Sequence, residues 1–583
     1  MSYTPPEKDI AFALQRIAQM GRLEATHGFP SYDSGLLAPI LDEAGKLAAD
    51  VLAPLNQAGD KQGAQLTETG VVAADGFKQA YAAYRDAGWM GLAFPEAYGG
   101  QGLPKSLALG VMEMFHAANM AFALCPMLSF GAIEALLAHG SDAQKETYLP
   151  RLISGDWTGT MNLTEPQAGS DVGALKSKAV PQEDGSFAIS GQKIFITWGD
   201  HDLAENIVHL VLARLPDAPE GSRGVSLFLC PKVLVNEDGS LGERNGVRCI
   251  GLEKKLGIHA SPTCVMEFSD AKAWLIGAAN KGLAAMFTMM NSARLNVGLE
   301  GVAVGEAAYQ AAQGYANERK QGKADGVDGP APIIHHSDVR RMLTTMRAKV
   351  MAARSICFAC GVAADLAEHA EDDSARDAAK QREDLLTPIA KAWSTDIGVE
   401  VASEGVQVHG GMGFMNETLA AQLYRDARIA PIYEGTNGIQ AIDLAGRKLA
   451  VNGGQAMTDM LTDIDQTSRD ARSTNHPQLV QMASRLEEAS KALADATDWM
   501  RTTMAEERER GLAGATAYLK LAGDVIGGHF LIRGATHNPK GSGESDANMI
   551  ALAGFYAETA LANAPGALPS ITSAGLFLEP IAN

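Results

Sequence analysis

Cysteine is scarce in this chain, six in 583 residues. That excludes a disulfide-stapled fold and fits a reducing compartment. Cys357 and Cys360 stand as C-x-x-C in "CFAC", inside a strongly helical stretch with no strand ahead of it. They read as small core residues on one helix face, not as a redox pair. Basic residues are also in short supply: 49 Lys and Arg against 69 Asp and Glu give a formal charge of −20. A nucleic acid or an anionic membrane is thereby disfavoured as the main ligand, because phosphate contacts need clustered cations. A small anionic ligand stays open, since a few local cations override net charge. No export signal is read in "MSYTPPEKDIAFALQRIA", which has neither a basic n-region nor an apolar h-region. The most apolar stretch, about 105–140, is interrupted by Glu113, His116, Asn119 and Glu134, as buried bundle helices are and a membrane span is not. The expected location is the cytoplasm.

What is present is ordinary globular composition, 46% hydrophobic and 20% charged, in a chain too long for one core. The first 160 residues are mostly helical in pattern; "SGLLAPILDEAGKLAADVLAPL" puts Leu37, Leu41, Ala44, Leu47 and Val51 on one face. The period changes between about 161 and 275, where "SFAISGQKIFIT", "NIVHLVLARL", "GVSLFLCP" and "TCVMEFSD" are separated by turns, the pattern of an antiparallel sheet or small barrel. Helical periodicity returns from about 281 to 450, and again in the last 130 residues, broken there by "HNPKGSGESD". The fold class is mainly α with a central β-domain. The expected division is 1–34 as an N-terminal helical extension, 35–160 as a helical domain, 161–280 as the β-domain, 281–450 as a helical bundle and 451–583 as an additional helical domain. "HGGMGFMN" lacks the third glycine and the preceding strand of a dinucleotide fingerprint, and a doubly wound sheet is not expected.

One carboxylate stands out. Glu434 lies alone in "RIAPIYEGTNGIQ", between an apolar run and a Gly-Thr-Asn turn, where partial desolvation is costly unless the group titrates or has a task. The alternative is a solvated residue at a helix N-terminus, with Thr436 or Asn437 as cap. Three other stretches accompany it: "MNLTEPQAGSDVGALKSKA", whose Gly169-Ser170 turn presents backbone N–H groups; "GQKIFITWGDH", with Phe195 and Trp198 beside Thr197; and "QVHGGMGF".

In this order, the chain resembles the acyl-CoA dehydrogenase family, flavoproteins that insert a double bond between Cα and Cβ of an acyl thioester. The resemblance runs from roughly 35 to 450 and is carried by "PEAYGGQG", "LTEPQAGSD", "GQKIFIT", "QVHGGMGF", "YRDARIAPIYEGT" and Arg294 in "NSARLN". The N-terminal "YTPPEKDIAFAL" and the extra C-terminus are similar to a longer bacterial subgroup. The resemblance implies FAD, a trans-2-enoyl-CoA product, a short- to medium-chain acyl-CoA substrate with 3-(methylthio)propanoyl-CoA among the candidates, an electron-transferring flavoprotein as acceptor, and at least a homodimer. Glu434 would be the base, its pKa raised by burial against Ile432, Tyr433 and the acyl chain. Its backbone N–H and a flavin ribityl hydroxyl would hold the thioester oxygen, with the β-hydrogen leaving as hydride to flavin N5. Some relatives carry the base immediately before the CoA-binding arginine; that position is Ala293, which leaves Glu434 as the candidate.

The same likeness assigns Met161, Leu163, Thr164, Gly169, Ser170, Phe195 and Thr197 to the flavin ring and its phosphates, with Ser170 also touching CoA. Arg319 matches an arginine on the FAD pyrophosphate. Gln407 and Gly411 match contacts to a neighbouring subunit's FAD, and Thr436 lies near the flavin. Arg294, Asn291 and Gly435 fall to the thioester carrier. There are departures. Phe195 stands where many members have tryptophan, with Trp198 three residues on; Gly322 and Gly438 replace larger residues. His335 and His336 read as structural or solvated, and no metal site is expected. An oxidase that uses O₂ and a non-enzymatic flavoprotein that binds DNA remain alternatives.

Overall fold

The structure, a computed structural model, describes residues 3–26, 28–537 and 544–578; most of the "HNPKGSGESD" break lies outside them. Eleven strands are present among the described residues: β1 (Gln65–Thr67), β2 (Gly70–Val72), β3 (Trp157–Asn162), β4 (Lys178–Pro181), β5 (Phe187–Thr197), β6 (Asn206–Arg214), β7 (Val225–Pro231), β8 (Val233–Val235), β9 (Leu241–Arg244), β10 (Val247–Leu252) and β11 (Thr263–Ile276). Seven form one sheet in the order β10-β11-β5-β4-β6-β3, with β7 joining β11 to β6. The expected antiparallel sheet is corrected at one edge. There β3 runs parallel to β6, and β4 meets β6 in parallel at a single pair. A parallel pair needs a long crossover, and residues 163–205 supply it. Alternation along β6 serves two cores: Val208, Leu210 and Leu212 face the helices, while Val211 and Ala213 join Phe228 and Cys230 in a core of the sheet's own. The hairpin of β1 and β2, three residues a side and mostly outside the core, had no signal in a stretch read as helical.

Among the helices, α1 (Leu37–Leu47) buries Leu37, Leu41 and Ala44 as expected, but Leu47 and Val51 are only half-buried and Ala48 and Leu52 take their places. Leu47 lies ahead of the π-turn over Ala48–Leu52, so that turn bears only on the exchange of Val51 for Leu52. Helix α2 (Lys105–His139) breaks its geometry at Asn119 (φ −159°, ψ 88°). The Asn119 Oδ1 accepts the Phe122 N–H at 3.1 Å and its Nδ2 donates to the Leu52 carbonyl at 3.3 Å, so it caps the second half of α2. Helices α2 and α4 (Ser337–His369) are long and apolar enough to cross a membrane, yet both are mostly buried in the chain. Cys357 and Cys360 sit in the buried interior of α4 as expected, against Ser394 and Thr387, their thiols pushed up by burial.

The site rests on two further helices, α3 (Gly282–Glu318) and α5 (Asp373–His409), which pack together closely. Their crossing is made by backbone. A methyl at Gly301 would lie 2.2 Å from the Ser394 carbonyl, and one at Gly298 2.5 Å from that of Ala390. Beyond the crossing, Arg354 of α4 is fully buried between Glu113 of α2 and Glu306 of α3, donating at 2.6 and 2.8 Å. The C-terminal helices α7 (Gln455–Ser473), α8 (Pro477–Glu506) and α9 (Arg508–Thr536) follow α6 (Asn437–Asp443). They brace α5 from outside: the Trp393 indole donates to Asp524 of α9 at 3.0 Å.

Two substitutions test this frame. Gly301→Ala is expected to destabilise by about 1–3 kcal/mol, since the helices must part to admit the methyl. Arg354→Met strands two buried carboxyls and is expected to cost about 3–5 kcal/mol. Urea midpoints of the purified variants check both; an unchanged midpoint in either contradicts the packing described.

Candidate active site

Glu434 sits on a turn that the chain ties down at both ends. The Asn437 N–H donates to the Pro431 carbonyl at 3.0 Å, closing the loop. The Asn437 amide then bonds Ala392, Thr395 and Asp396, all on α5, at 2.8–3.0 Å. Thr436 caps α6, accepting the Ile439 N–H at 3.3 Å. Inside the turn Glu434 is left-handed (φ 55°), as is Gly435 (φ 83°). A non-glycine residue held there is uncommon, and such conformations gather at functional sites. The Glu434 Oε2 is buried with no hydrogen-bond partner. Burial pushes its carboxyl up to about 7, against the opposing pull of Arg294 and Lys391. The apolar neighbour expected to bury it is corrected: Ile432 is half exposed, and the enclosure comes from the turn and from α3 and α5.

Around Glu434 the structure brings together Arg294, Asn291 and Gly435, the residues that the likeness assigns to the thioester carrier. Arg294, buried on α3, donates to Asn291 Oδ1 at 3.3 Å, and its Nη2 would lie 3.8 Å from a methyl at Gly435. Ala293, beside it, is buried. Two residues were not foreseen. Lys391 of α5 is fully buried, donates to Asn437 Oδ1 at 2.8 Å, and is brought down to about 8 by burial despite Glu434 and Glu300. Glu300 of α3 is fully buried and accepts the Tyr433 hydroxyl; burial pushes it up to about 8. Each is a lone charge in an apolar helical stretch, "VGLEGVAV" and "TPIAKAW", the same signal that marks Glu434.

A second group gathers at the end of β5. The register of β5 on β11 slips between Cys264 and Met266, and this bulge turns Phe195 outward, 57% exposed with φ 60°. Trp198 is buried instead, its indole donating to the Ala121 carbonyl at 3.1 Å and stacking on Phe77. Of the two rings, only Phe195 faces outward. Half-buried Thr197 lies beside it. The Thr164 carbonyl accepts the Ile194 N–H at 2.9 Å, and the Leu163 carbonyl accepts Lys193 Nζ at 3.0 Å. Glu165 fastens this loop to the sheet through Lys193, Lys176 and Ser177 at 2.6–3.0 Å. Burial works against its charge, but Lys193 and these donors hold it down at about 2. Met161, next to last in β3, is half-buried; Gly169 and Ser170 are exposed, with open space beside Gly169.

Arg319, Gln407 and Gly411 are exposed and are not brought to Glu434 within one chain. Arg319 ends α3, 25 residues past Arg294, roughly 37 Å along a helix. His336 latches its own loop, bonded to the Gln321 carbonyl at 2.8 Å, and no metal-binding cluster occurs among the described residues. Beside Arg294 a cavity of about 840 Å³ opens. Its walls include Trp89, Leu92, Phe94, Leu109, Phe130 and Leu295, with Asn291 at one end and a Lys105–Glu368 pair at 2.6 Å in the wall.

Family models match most of the chain: "Acyl-CoA dehydrogenase, N-terminal domain" at 38–156, the middle domain at 160–271, the C-terminal domain at 280–449, and "Acetyl-CoA dehydrogenase C-terminal like" at 460–577. The chain belongs to the acyl-CoA dehydrogenase family. It is 48% identical over 532 residues, 91% of this chain and 90% of the other, to a 3-methylmercaptopropionyl-CoA dehydrogenase of Ruegeria pomeroyi. To a butyryl-CoA dehydrogenase of Syntrophomonas wolfei it is 36% identical, covering 79% and 78%. Among solved structures, Caenorhabditis elegans ACDH-11 in complex with C11-CoA superposes with a TM-score of 0.80 at 21% identity, over 96% of this chain and 92% of that one. The Megasphaera elsdenii butyryl-CoA dehydrogenase superposes with a TM-score of 0.58 at 26% identity, over 71% and 98%. Like other acyl-CoA dehydrogenases, the chain is an oxidoreductase.

A carboxyl raised from 4.5 to about 7 keeps, in the native state, a proton that the unfolded chain releases. The native state therefore loses stability as pH rises from about 4.5 to 7 and stays lowered above that. Glu434→Gln removes the group that titrates. Its gain in melting temperature over the parent is expected to be larger at pH 8 than at pH 4.5, and equal gains contradict the raised pKa.

Proposed function

We propose that this acyl-CoA dehydrogenase is FAD-dependent and that Glu434 takes the α-proton of an acyl-CoA, yielding a trans-2-enoyl-CoA. The observation that carries the reading is the enclosed, unpartnered Glu434 Oε2 beside buried Arg294. A base that must remove a proton α to a thioester works best with a pKa near the working pH, and enclosure supplies that. Left-handed Glu434 also leaves its own N–H without an acceptor among the described residues. That donor is free for the thioester oxygen as negative charge develops there. Arg294, with Asn291 and Gly435, holds the thioester carrier in register with the carboxylate.

The residues present fit a flavin: an outward aromatic ring at Phe195 beside Thr197, an open Gly169–Ser170 turn, and open space at Gly411. When bound, FAD supplies the acceptor for the hydride that leaves Cβ. The exposure of Gln407 and Gly411 supports assigning them to a neighbouring subunit's cofactor, so that a homodimer is the least unit holding complete sites, with Arg319 on the FAD pyrophosphate. Similarity to the Ruegeria relative supports 3-(methylthio)propanoyl-CoA within a short- to medium-chain range. An electron-transferring flavoprotein is the proposed acceptor of the electrons.

Loss of a positioned base is expected to lower turnover about 10²–10⁴-fold or more in Glu434→Gln while flavin content stays at that of the parent; a variant keeping more than about a tenth of normal turnover sinks the assignment. Anaerobic bleaching of the flavin by a series of thioesters is expected to run fastest with thioether and four-carbon chains. Rapid peroxide formation in air, without an electron-transferring flavoprotein, would instead mark an oxidase.

A further inference from the structure

Two carboxyls, not one, lie in the enclosed space under the turn. Glu300 is on α3, six residues past Arg294, and is fully buried. Its Oε2 accepts the Tyr433 hydroxyl; its Oε1 has no partner. No cation pairs with it among the described residues. Lys391, the nearest candidate, gives its Nζ to Asn437 instead. The groups that face Glu300 are Tyr433 and Glu434 from the turn and Lys391 from α5. A carboxylate so enclosed, with a single donor, is unfavourable, and such a group keeps its proton.

The two acids are not equivalent. Two cations, Arg294 and Lys391, favour charge on Glu434, whereas Glu300 has the Tyr433 hydroxyl and a single cation, Lys391, in favour of its charge, and burial and a charged Glu434 against it. Two neighbouring carboxyls do not readily ionise together, and the better-compensated one goes first. Tyr433 immediately precedes the left-handed residue that aims the base, so its anchor fixes that aim.

We propose that Glu300 is a positioning residue for Glu434: a buried carboxyl kept as the neutral acid, which accepts the Tyr433 hydroxyl and so holds the turn that carries the base. The reaction never consumes its proton. Its service is to anchor the turn without placing a second negative charge beside the base. This rests on Glu434 being the base.

The flavin-loaded enzyme tests it through Glu300→Gln, Glu300→Ala and Tyr433→Phe. Glutamine resembles the neutral acid, so Glu300→Gln is expected to keep kcat within about threefold and to leave the acid limb of the kcat–pH profile in place. Glu300→Ala and Tyr433→Phe are expected to lose about tenfold or more in kcat, with KM and flavin content unchanged. The double variant should be no worse than either single one, because both remove one hydrogen bond. Infrared spectra at pH 7 should show a protonated-carboxyl band in the parent that is missing in Glu300→Gln. The proposal is overturned by identical spectra, by an acid limb that moves down about one pH unit or more in Glu300→Gln (the sign of a lost anion), or by full kcat in both Glu300→Ala and Tyr433→Phe. The infrared band is read in the parent enzyme and does not require Glu434 to be the base. Surviving turnover in Glu434→Gln would remove the base assignment and leave the band standing, so the two failures are distinguishable.

Discussion

The close crossing of α3 and α5 is the constraint on which the site depends. Glycines 298 and 301 let two backbones approach with no side chain between them. Arg294 and Glu300 therefore come from one helix, and Lys391 with the acceptors of Asn437 from the other, onto opposite sides of a single turn. A contact of this kind has little compliance, because packed backbone cannot change rotamer. The additional C-terminal helices bear on the same place, since Trp393, two residues after Lys391, is gripped by α9.

Within that frame the chemistry is an imbalance of charge in a closed space. Glu434 and Glu300 face Arg294 and Lys391, and each group is moved by burial towards neutrality, the acids upward and Lys391 downward. The contrast with the Arg354 cluster is instructive. There, the guanidinium meets both carboxyls at hydrogen-bond distance, and the ions are fixed. Under the turn the distances are longer and oxygens stay unpaired, so protons remain exchangeable. Two buried acid–cation groups in one bundle thus differ in kind, one made of fixed ion pairs and the other of groups held close to neutrality.

Much of this was legible in the residues. The switch from a period of 3.6 to 2 and back marked the sheet, and Glu434 was conspicuous as a lone acid in an apolar run. Arg294 and Asn291 came from the family likeness, and Arg294 lies beside Glu434. What stayed hidden has physical reasons. The π-turn after α1 leaves no mark on the pattern of residue types, so Val51 looked as good as Leu52. The parallel edge strand β3 reads like any short apolar run, since direction leaves no mark on alternation. Phe195 and Trp198 differ through a bulge whose register is set by the partner strand. Glu300 and Lys391 did carry a signal, a single charge in each apolar helix, but their convergence depends on a crossing that only the folded chain displays.

The cavity beside Arg294 has a different character from the turn. Its walls are ordinary side chains, Leu92, Phe94, Leu109 and Phe130 among them, none of which forms the α3–α5 backbone contact. Inheritance can therefore treat the two separately. Volume and polarity in the cavity are free to drift by single exchanges, while the turn keeps its dimensions because they are written in main chain. Such an arrangement favours change in the cavity ahead of change at the turn.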